Sequence, residues 1–338
     1  MKFGIFDHVD DDGQPLARQL EDRLQMAEAY DRCGFYCYHV AEHHGTPLGR
    51  APSPSVLLSA VSQRTKQLKF GPLVYLLPIY HPLRLIEEVA MLDALSNGRL
   101  QLGVGRGASL IEMGFYGVDM DDQRALFDEA LEVLLMGLTS DELTHAGKYF
   151  TFDRVPMRVK PVQQPHPPLW YGAGSPASIQ WAAREGINIV TLAYGERVRQ
   201  VADLYRTEWL THGGSEEFMP LVGVSRHMVV AGTDEEALAI ARPAYLRWRD
   251  SFAQLWIERG YPRPLTEVYP DSWDELQASG NCCAGSPETV RAFVETEVAR
   301  GITYLVGWFA FGGMNVAQVT RSAELFASDV MPAFGSRE

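Results

Sequence analysis

Apolar strand-like runs and amphipathic helix-like stretches alternate along the whole chain. That alternation restricts it to an α/β architecture built on a parallel sheet. Five of the runs end in a chemically loaded turn: Ala41-Glu42-His43-His44, Leu76-Leu77-Pro78, Gly103-Val104-Gly105-Arg106-Gly107, Tyr171-Gly172-Ala173-Gly174-Ser175 and Trp308-Phe309-Ala310-Phe311-Gly312-Gly313. Strands that deliver their special residues from the same end converge on one spot, the active-site face of a (β/α)8 TIM barrel. Strands are predicted over 2–8, 35–40, 68–77, 99–104, 168–173, 188–193, 221–231 and 302–311. Between them lie helices over 16–33, 82–95, 121–138, 175–184, 196–211 and 316–331, with others opening at Ser53-Pro54, Thr233 and Ser286. Leu16, Leu20, Leu24, Ala27 and Tyr30 give the first helix its apolar face, and Gly34 stops it.

Two stretches break the rhythm. Residues 141–162 carry Gly147, Pro156 and Pro161 among alternating aromatics and read as an inserted hairpin or excursion. Residues 261–283 carry Pro262, Pro264, Pro270 and Gly280 and read as a candidate lid loop, with a solvated connector equally open. No composition break divides the chain, so residues 1–338 are expected to form one domain.

A net charge of −13 is wrong for a nucleic-acid binder, and an anionic ligand must be gripped by local cations against the overall field. Cys33, Cys37, Cys282 and Cys283 form no CxxC pair and no zinc spacing with histidine, so no metal site is expected; the adjacent pair reads as ordinary thiols in a loop. No secretory leader and no 18-residue apolar span is legible, which predicts a cytoplasmic protein without membrane contact.

Arg106 stands in a glycine-flanked turn, where backbone N–H groups are accessible and a guanidinium can grip phosphate through two bonds. Arg124 offers a second contact, although by itself it reads as a surface helix residue. Gly103-x-Gly105-x-x-Ala108 formally matches a dinucleotide fingerprint. That fingerprint opens a helix directly, whereas here the chain runs on through residues 113–117 before the next clear helix. The turn containing Ala173, Gly174 and Ser175 leads straight into a helix whose N-terminus suits a phosphate, with Ser178 one turn on. His43 or His44 can serve as acid or base. No 2-His-1-carboxylate set can be assembled with His8, His39 or His81.

Taken together, Glu42-His43-His44, Leu77-Pro78-x-x-His81-Pro82-x-Arg84, Leu92-Asp93-x-Leu95-Ser96-x-Gly98-Arg99, Gly103-x-Gly105-Arg106-Gly107 and Ser175-x-x-Ser178-x-x-Trp181-Ala182-Ala183 resemble the bacterial luciferase-like flavin-dependent monooxygenases. The resemblance implies a barrel that binds reduced FMN at its C-terminal face. Arg106, Arg124, Ser175 and Ser178 would hold the phosphate, and the Leu73–Val74 peptide, often a non-prolyl cis bond in that family, would lie against the ring. Gly105 and Gly174 replace a reactive cysteine and a glutamate of the luciferases. The first change puts light emission in doubt. His43 matches the family's catalytic histidine, and residues 261–283 fall where luciferases carry a mobile lid.

The implied activity is a monooxygenase that works as one of two components: a separate NAD(P)H:flavin reductase supplies reduced FMN, O2 adds to give a C4a-(hydro)peroxyflavin, and a lipophilic or carbonyl-containing molecule is oxygenated. A homodimer is expected. An F420-dependent oxidoreductase on the same barrel and a non-catalytic flavin-binding protein stay open as alternatives.

Overall fold

The computed structural model describes residues 1–335. Its strands are β1 (Lys2–Asp7), β2 (Cys37–Val40), β3 (Lys69–Pro72), β4 (Tyr75–Leu76), β5 (Leu102–Gly105), β6 (Glu142–Ala146), β7 (Thr151–Pro156), β8 (Leu169–Gly172), β9 (Asn188–Thr191), β10 (Val222–Val230), β11 (Cys282–Gly285) and β12 (Tyr304–Trp308). The helices are α1 (Leu16–Cys33), α2 (Pro54–Arg64), α3 (Pro82–Leu95), α4 (Leu110–Phe115), α5 (Gln123–Thr139), α6 (Pro176–Arg184), α7 (Arg197–Thr211), α8 (Asp234–Glu258), α9 (Trp273–Ala278), α10 (Pro287–Ala299) and α11 (Val316–Leu325).

Parallel strands run around the barrel in the order β3-β2-β1-β12-β10-β9-β8-β5-β4, with β11 added beside β10. Both ends of that path belong to one stave. The strand expected over 68–77 is cut at a cis peptide between Leu73 and Val74. Across the cut, Phe70 bridges to Leu100 while β4 pairs with β5, so the barrel is nearly closed. With β3 and β4 taken as one stave and β11 as an addition, the expected eightfold pattern holds. The staves read as near-continuous apolar runs because helices cover them outside and side chains fill them inside. At the base of the barrel, His39 Nε2 meets Tyr304 Oη at 2.9 Å, and Trp170 donates to Gln101 at 2.9 Å. Burial pulls the His39 imidazole down to about 3, which makes it a neutral packing element. Gly4 is required here: a Cβ on it would lie 1.8 Å from Tyr304 Oη.

Helices α1 and α3 occupy the expected spans, and Gly34 takes the left-handed C′ conformation at φ 77°. Pro54 opens α2, but Ser53 makes no side-chain cap bond. Residues 141–162 do hold a hairpin, the antiparallel pair β6–β7. The stretch 261–283 is not one long loop: α9 and β11 occupy its second half, leaving 259–272 irregular. Cys282 and Cys283 are therefore buried strand residues, although both thiols are free, and burial pushes Cys283 up to about 12. The last helix ends at Leu325 and continues as a π-turn and a 3-10 turn, short of the even helix expected to 331. No helix of the described residues is long and apolar enough to cross a membrane.

Candidate functional site

The C-terminal ends of the staves enclose a cavity of about 370 Å³, lined among others by Phe6, His8, His43, Leu73, Val74, Arg106, Gly172 and Trp308. A second chamber of about 330 Å³ shares Glu42, His43, Leu76, Ala108, Phe252 and Leu265 with it and is otherwise walled by residues such as Leu48, Met113, Leu255, Trp256 and Pro264. Volumes of this size and apolar walls suit a small organic ligand.

The two adjacent histidines are placed differently. His44 has both ring nitrogens engaged, Nε2 with Glu42 at 3.0 Å and Nδ1 with Tyr116 Oη at 2.8 Å. Glu42 also accepts from the Leu76 amide at 2.9 Å and the Tyr80 hydroxyl at 2.8 Å, so this cluster ties β2 to the broken stave. His43 has Nδ1 against Glu112 at 3.2 Å and lines both chambers, with no hydrogen-bond partner for Nε2 among the described residues. Glu112 accepts from the His44 amide at 2.7 Å as well. Burial pushes the Glu112 carboxyl up, but His43 and the His44 amide outweigh it and hold it below its usual range. A carboxylate at Nδ1 favours the tautomer with its proton there, which makes Nε2 the acceptor of the ring.

Arg106 is half-buried at the cavity wall and has no carboxylate partner among the described residues. Gly105 behind it packs against the cis peptide: a Cβ there would fall 2.3 Å from Val74 Cγ2. Val74 thus fills the space that a cysteine at 105 would need. In the next turn, Ser175 and Ser178 cap α6 reciprocally, with Ser178 N to Ser175 Oγ at 3.3 Å and Ser175 N to Ser178 Oγ at 3.1 Å. Gly172 lines the cavity, and a Cβ on Gly172 or Gly174 would project into open space. Ala173 is different from what the turn suggested. Its N–H is spent on the Val190 carbonyl at 3.0 Å, so it has no donor left for a ligand. Arg124 does not line the cavity either. It pairs with Asp128 at 2.7 Å on the exposed face of α5, along a groove towards α6, and that carboxylate raises its pKa.

The sequence model for luciferase-like monooxygenases matches residues 1–304. The chain belongs to the luciferase-like monooxygenase family. A protein of Sinorhizobium fredii without assigned activity is 40% identical over 336 residues, covering 99% of this chain and 98% of that one. The oxygenase component of a flavin-dependent trigonelline monooxygenase from Acinetobacter baylyi is 26% identical, covering 99% and 96%. Among solved structures, a monooxygenase from Streptomyces bottropensis superposes with a TM-score of 0.85 at 26% identity, covering 99% and 100%. Below 25% identity the same fold recurs in the FMN complex of the oxygenating constituent of 3,6-diketocamphane monooxygenase from Pseudomonas putida (TM-score 0.84, 21% identity, 98% of each chain). It recurs too in an F420-dependent secondary alcohol dehydrogenase (TM-score 0.75, 19% identity, 99% of each chain).

Two residues that line these cavities escape a reading by turns. Glu112 lies on α4, a short helix directly after the Arg106 turn, where the sequence suggested only irregular chain. Ser109-x-x-Glu112 was the available signal, since Ser109 caps α4 through the Glu112 amide at 3.3 Å. Gly103-x-Gly105-x-x-Ala108 therefore does lead into a helix, and it is the nearly closed barrel that excludes a dinucleotide-binding fold. His8 immediately follows β1, at the same end as the other loaded turns, and lines the main cavity.

Proposed function

We infer that the protein is a flavin-dependent monooxygenase that takes reduced FMN and O2 and oxygenates a lipophilic or carbonyl-containing small molecule. The observation that carries this is a single guanidinium, Arg106, without a carboxylate partner among the described residues, at the rim of an apolar cavity that also contains the cis peptide and His43. The residues present fit the nucleotide. Gly172 and Gly174 leave open space where a Cβ would stand, so a phosphate can approach the backbone at the start of α6. Leu73 and Val74 offer a flat apolar wall beside Gly105.

Bound there, reduced FMN supplies the electrons that activate O2. Phe6, Leu76, Phe252, Leu265 and Trp308 keep water away from the reacting centre. Glu112 orients His43, whose Nε2 exchanges a proton with the reacting oxygen. Ser175 and Ser178 order the first turn of α6 and offer their hydroxyls to the phosphate. Arg124 reaches that phosphate only if it releases Asp128. The relative that is named as an oxygenase component supports a partner NAD(P)H:flavin reductase here. A cytoplasmic homodimer goes with the same reading.

Titration with FMN, riboflavin and F420 tests it. FMN should bind more tightly than riboflavin, and Arg106→Ala should weaken FMN about thirtyfold, the loss of a charge-assisted phosphate contact, while riboflavin binding barely changes. Tight binding of F420 with no binding of FMN would move the protein to the hydride-transfer alternative. Equal affinity of the variant and the wild type for FMN would remove Arg106 from the phosphate site.

A further inference from the structure

The turn after β1 is built at a cost. Val9 is fully buried and β-branched, yet it holds φ at 56°, in the left-handed region that such residues avoid. The surroundings enforce this. Asp7 accepts from the Val9 amide at 2.7 Å and from the Tyr38 hydroxyl at 2.9 Å, and Arg23 lies 2.9 Å from the same carboxylate. Strain of this kind persists where the surrounding structure over-determines it, and it gathers at functional sites. Its consequence here is to aim His8 into the main cavity.

His8 is held by rings on several sides. Trp308 meets it edge-on at 4.7 Å between centroids, Phe6 at 4.9 Å, and His43 tilts beside it at 5.4 Å. Trp248 donates its indole N–H to His8 Nδ1 at 3.4 Å. An indole can only donate, so Nδ1 must be the acceptor and the ring proton sits on Nε2. Among the described residues nothing takes Nε2, and it is not one of the sealed unpaired atoms, unlike Nε2 of the neighbouring His227. The titratable groups that face His8 are His43 and His227. Burial, then those two imidazoles, keep its pKa well below the ordinary value, so the ring stays neutral and the tautomer is fixed.

We propose that His8 is a substrate-binding residue, whose Nε2–H donates to the carbonyl oxygen of an uncharged ketone bound beside Phe6 and Trp308. The proposal rests on the flavin-dependent reading above and names the substrate class for that cavity. A donor with no protein partner in an aromatic pocket selects for an acceptor, because a hydrocarbon would leave the N–H unpaired. The acceptor is uncharged because the main cavity has one guanidinium, Arg106, which the phosphate takes, while Arg263 in the second chamber lies 3.4 Å from Asp271. His43 and His8 then have complementary parts: one exchanges a proton through Nε2, and the other only donates.

The probes are acetophenone and ethylbenzene, which share a ring and differ in the oxygen. Each is titrated into FMN-loaded protein and read by the change in flavin absorbance. Acetophenone should bind wild type about tenfold more tightly than His8→Phe, His8→Gln should recover it to within about threefold, and ethylbenzene should not distinguish the three. Nitrogen NMR of the wild type gives a readout that needs no variant. The His8 resonances should report the Nε2–H tautomer, stay constant between about pH 5 and 8, and shift on adding acetophenone but not ethylbenzene. Acetophenone bound no better than ethylbenzene, an Nδ1–H tautomer, or equal ketone affinity in His8→Phe each overturns the proposal. Failure of FMN itself to bind counts against the flavin reading, while the NMR result still decides the state of His8.

Discussion

His43→Ala is expected to lower product formation about a hundredfold or more while FMN still binds, because general acid–base groups contribute on the order of 10²- to 10⁴-fold. His43 lines the cavity and its Nδ1 is held by Glu112 at 3.2 Å, so removing the ring deletes the proposed proton carrier without touching Arg106 or the α6 turn. O2 uptake should continue and end in hydrogen peroxide, since activated oxygen left without its proton partner is lost to the solvent. The measurement is the ratio of product formed to O2 consumed. Glu112→Gln should show a smaller fall, about tenfold, because an amide still fills the space but no longer holds the imidazole with a full charge. His44→Phe is the contrasting case. Its ring sits in the Glu42 and Tyr116 network, so it should lose thermal stability and keep the coupling ratio. A His43→Ala protein with unchanged coupling would falsify the assignment.

Long elements with one strong period were legible in the sequence. α1 and α3 have apolar faces that repeat over four to five turns and end at a glycine or an Asn-Gly, so local preference and packing agree. The elements that were missed are short. α4 and α9 have six residues each, too few for a period to declare itself, and α4 contains Gly114. β11 was hidden because four small or apolar residues after a proline-rich stretch fit a loop as well as a strand. The cut in the third stave has no signature in composition, since a non-prolyl cis bond is dictated by its surroundings; only the family resemblance pointed to Leu73–Val74.

The site divides in the same way. That Arg106 and His43 would line one cavity was legible because strand-end turns converge in a barrel. Glu112 was not, because its role comes from a contact 69 positions away in sequence. Ala173 was misread because a glycine-rich turn suggests free amides, whereas the sheet continues one residue further and consumes this one. Whether His43 or His44 faces the cavity could not be read from adjacent positions at all. Their partners decide it.

Breaking the ion pair beneath β10 should destabilise the barrel more than removing either His43 or His44. Arg226 and Glu297 are fully buried, with Arg226 Nε 2.9 Å from Glu297 Oε1. The same guanidinium donates to the Ser225 carbonyl at 2.9 Å, the Asn281 side chain at 3.1 Å and the Ala193 carbonyl at 2.8 Å, so it joins β10, α10, the end of β9 and the approach to β11. Burial pulls the Arg226 pKa down and Glu297 opposes that pull. Arg226→Leu leaves the Glu297 carboxylate without its main partner; Arg300, 3.6 Å from the other oxygen, is a partial substitute. The expected loss is about 3–5 kcal/mol, the usual cost of orphaning one member of a buried pair. Replacing both residues by leucine should recover much of it, because no buried charge is left unpaired, although the Ser225, Asn281 and Ala193 acceptors stay unsatisfied. Urea unfolding of the two single variants and the double variant measures the coupling. Losses that simply add would show that the pair acts through packing and not through charge. Arg226 alternates along the strand with Ser225 and His227, which face the cavity side. Below the unfolding transition, therefore, FMN affinity should stay near wild type even as the stave that carries those residues loosens.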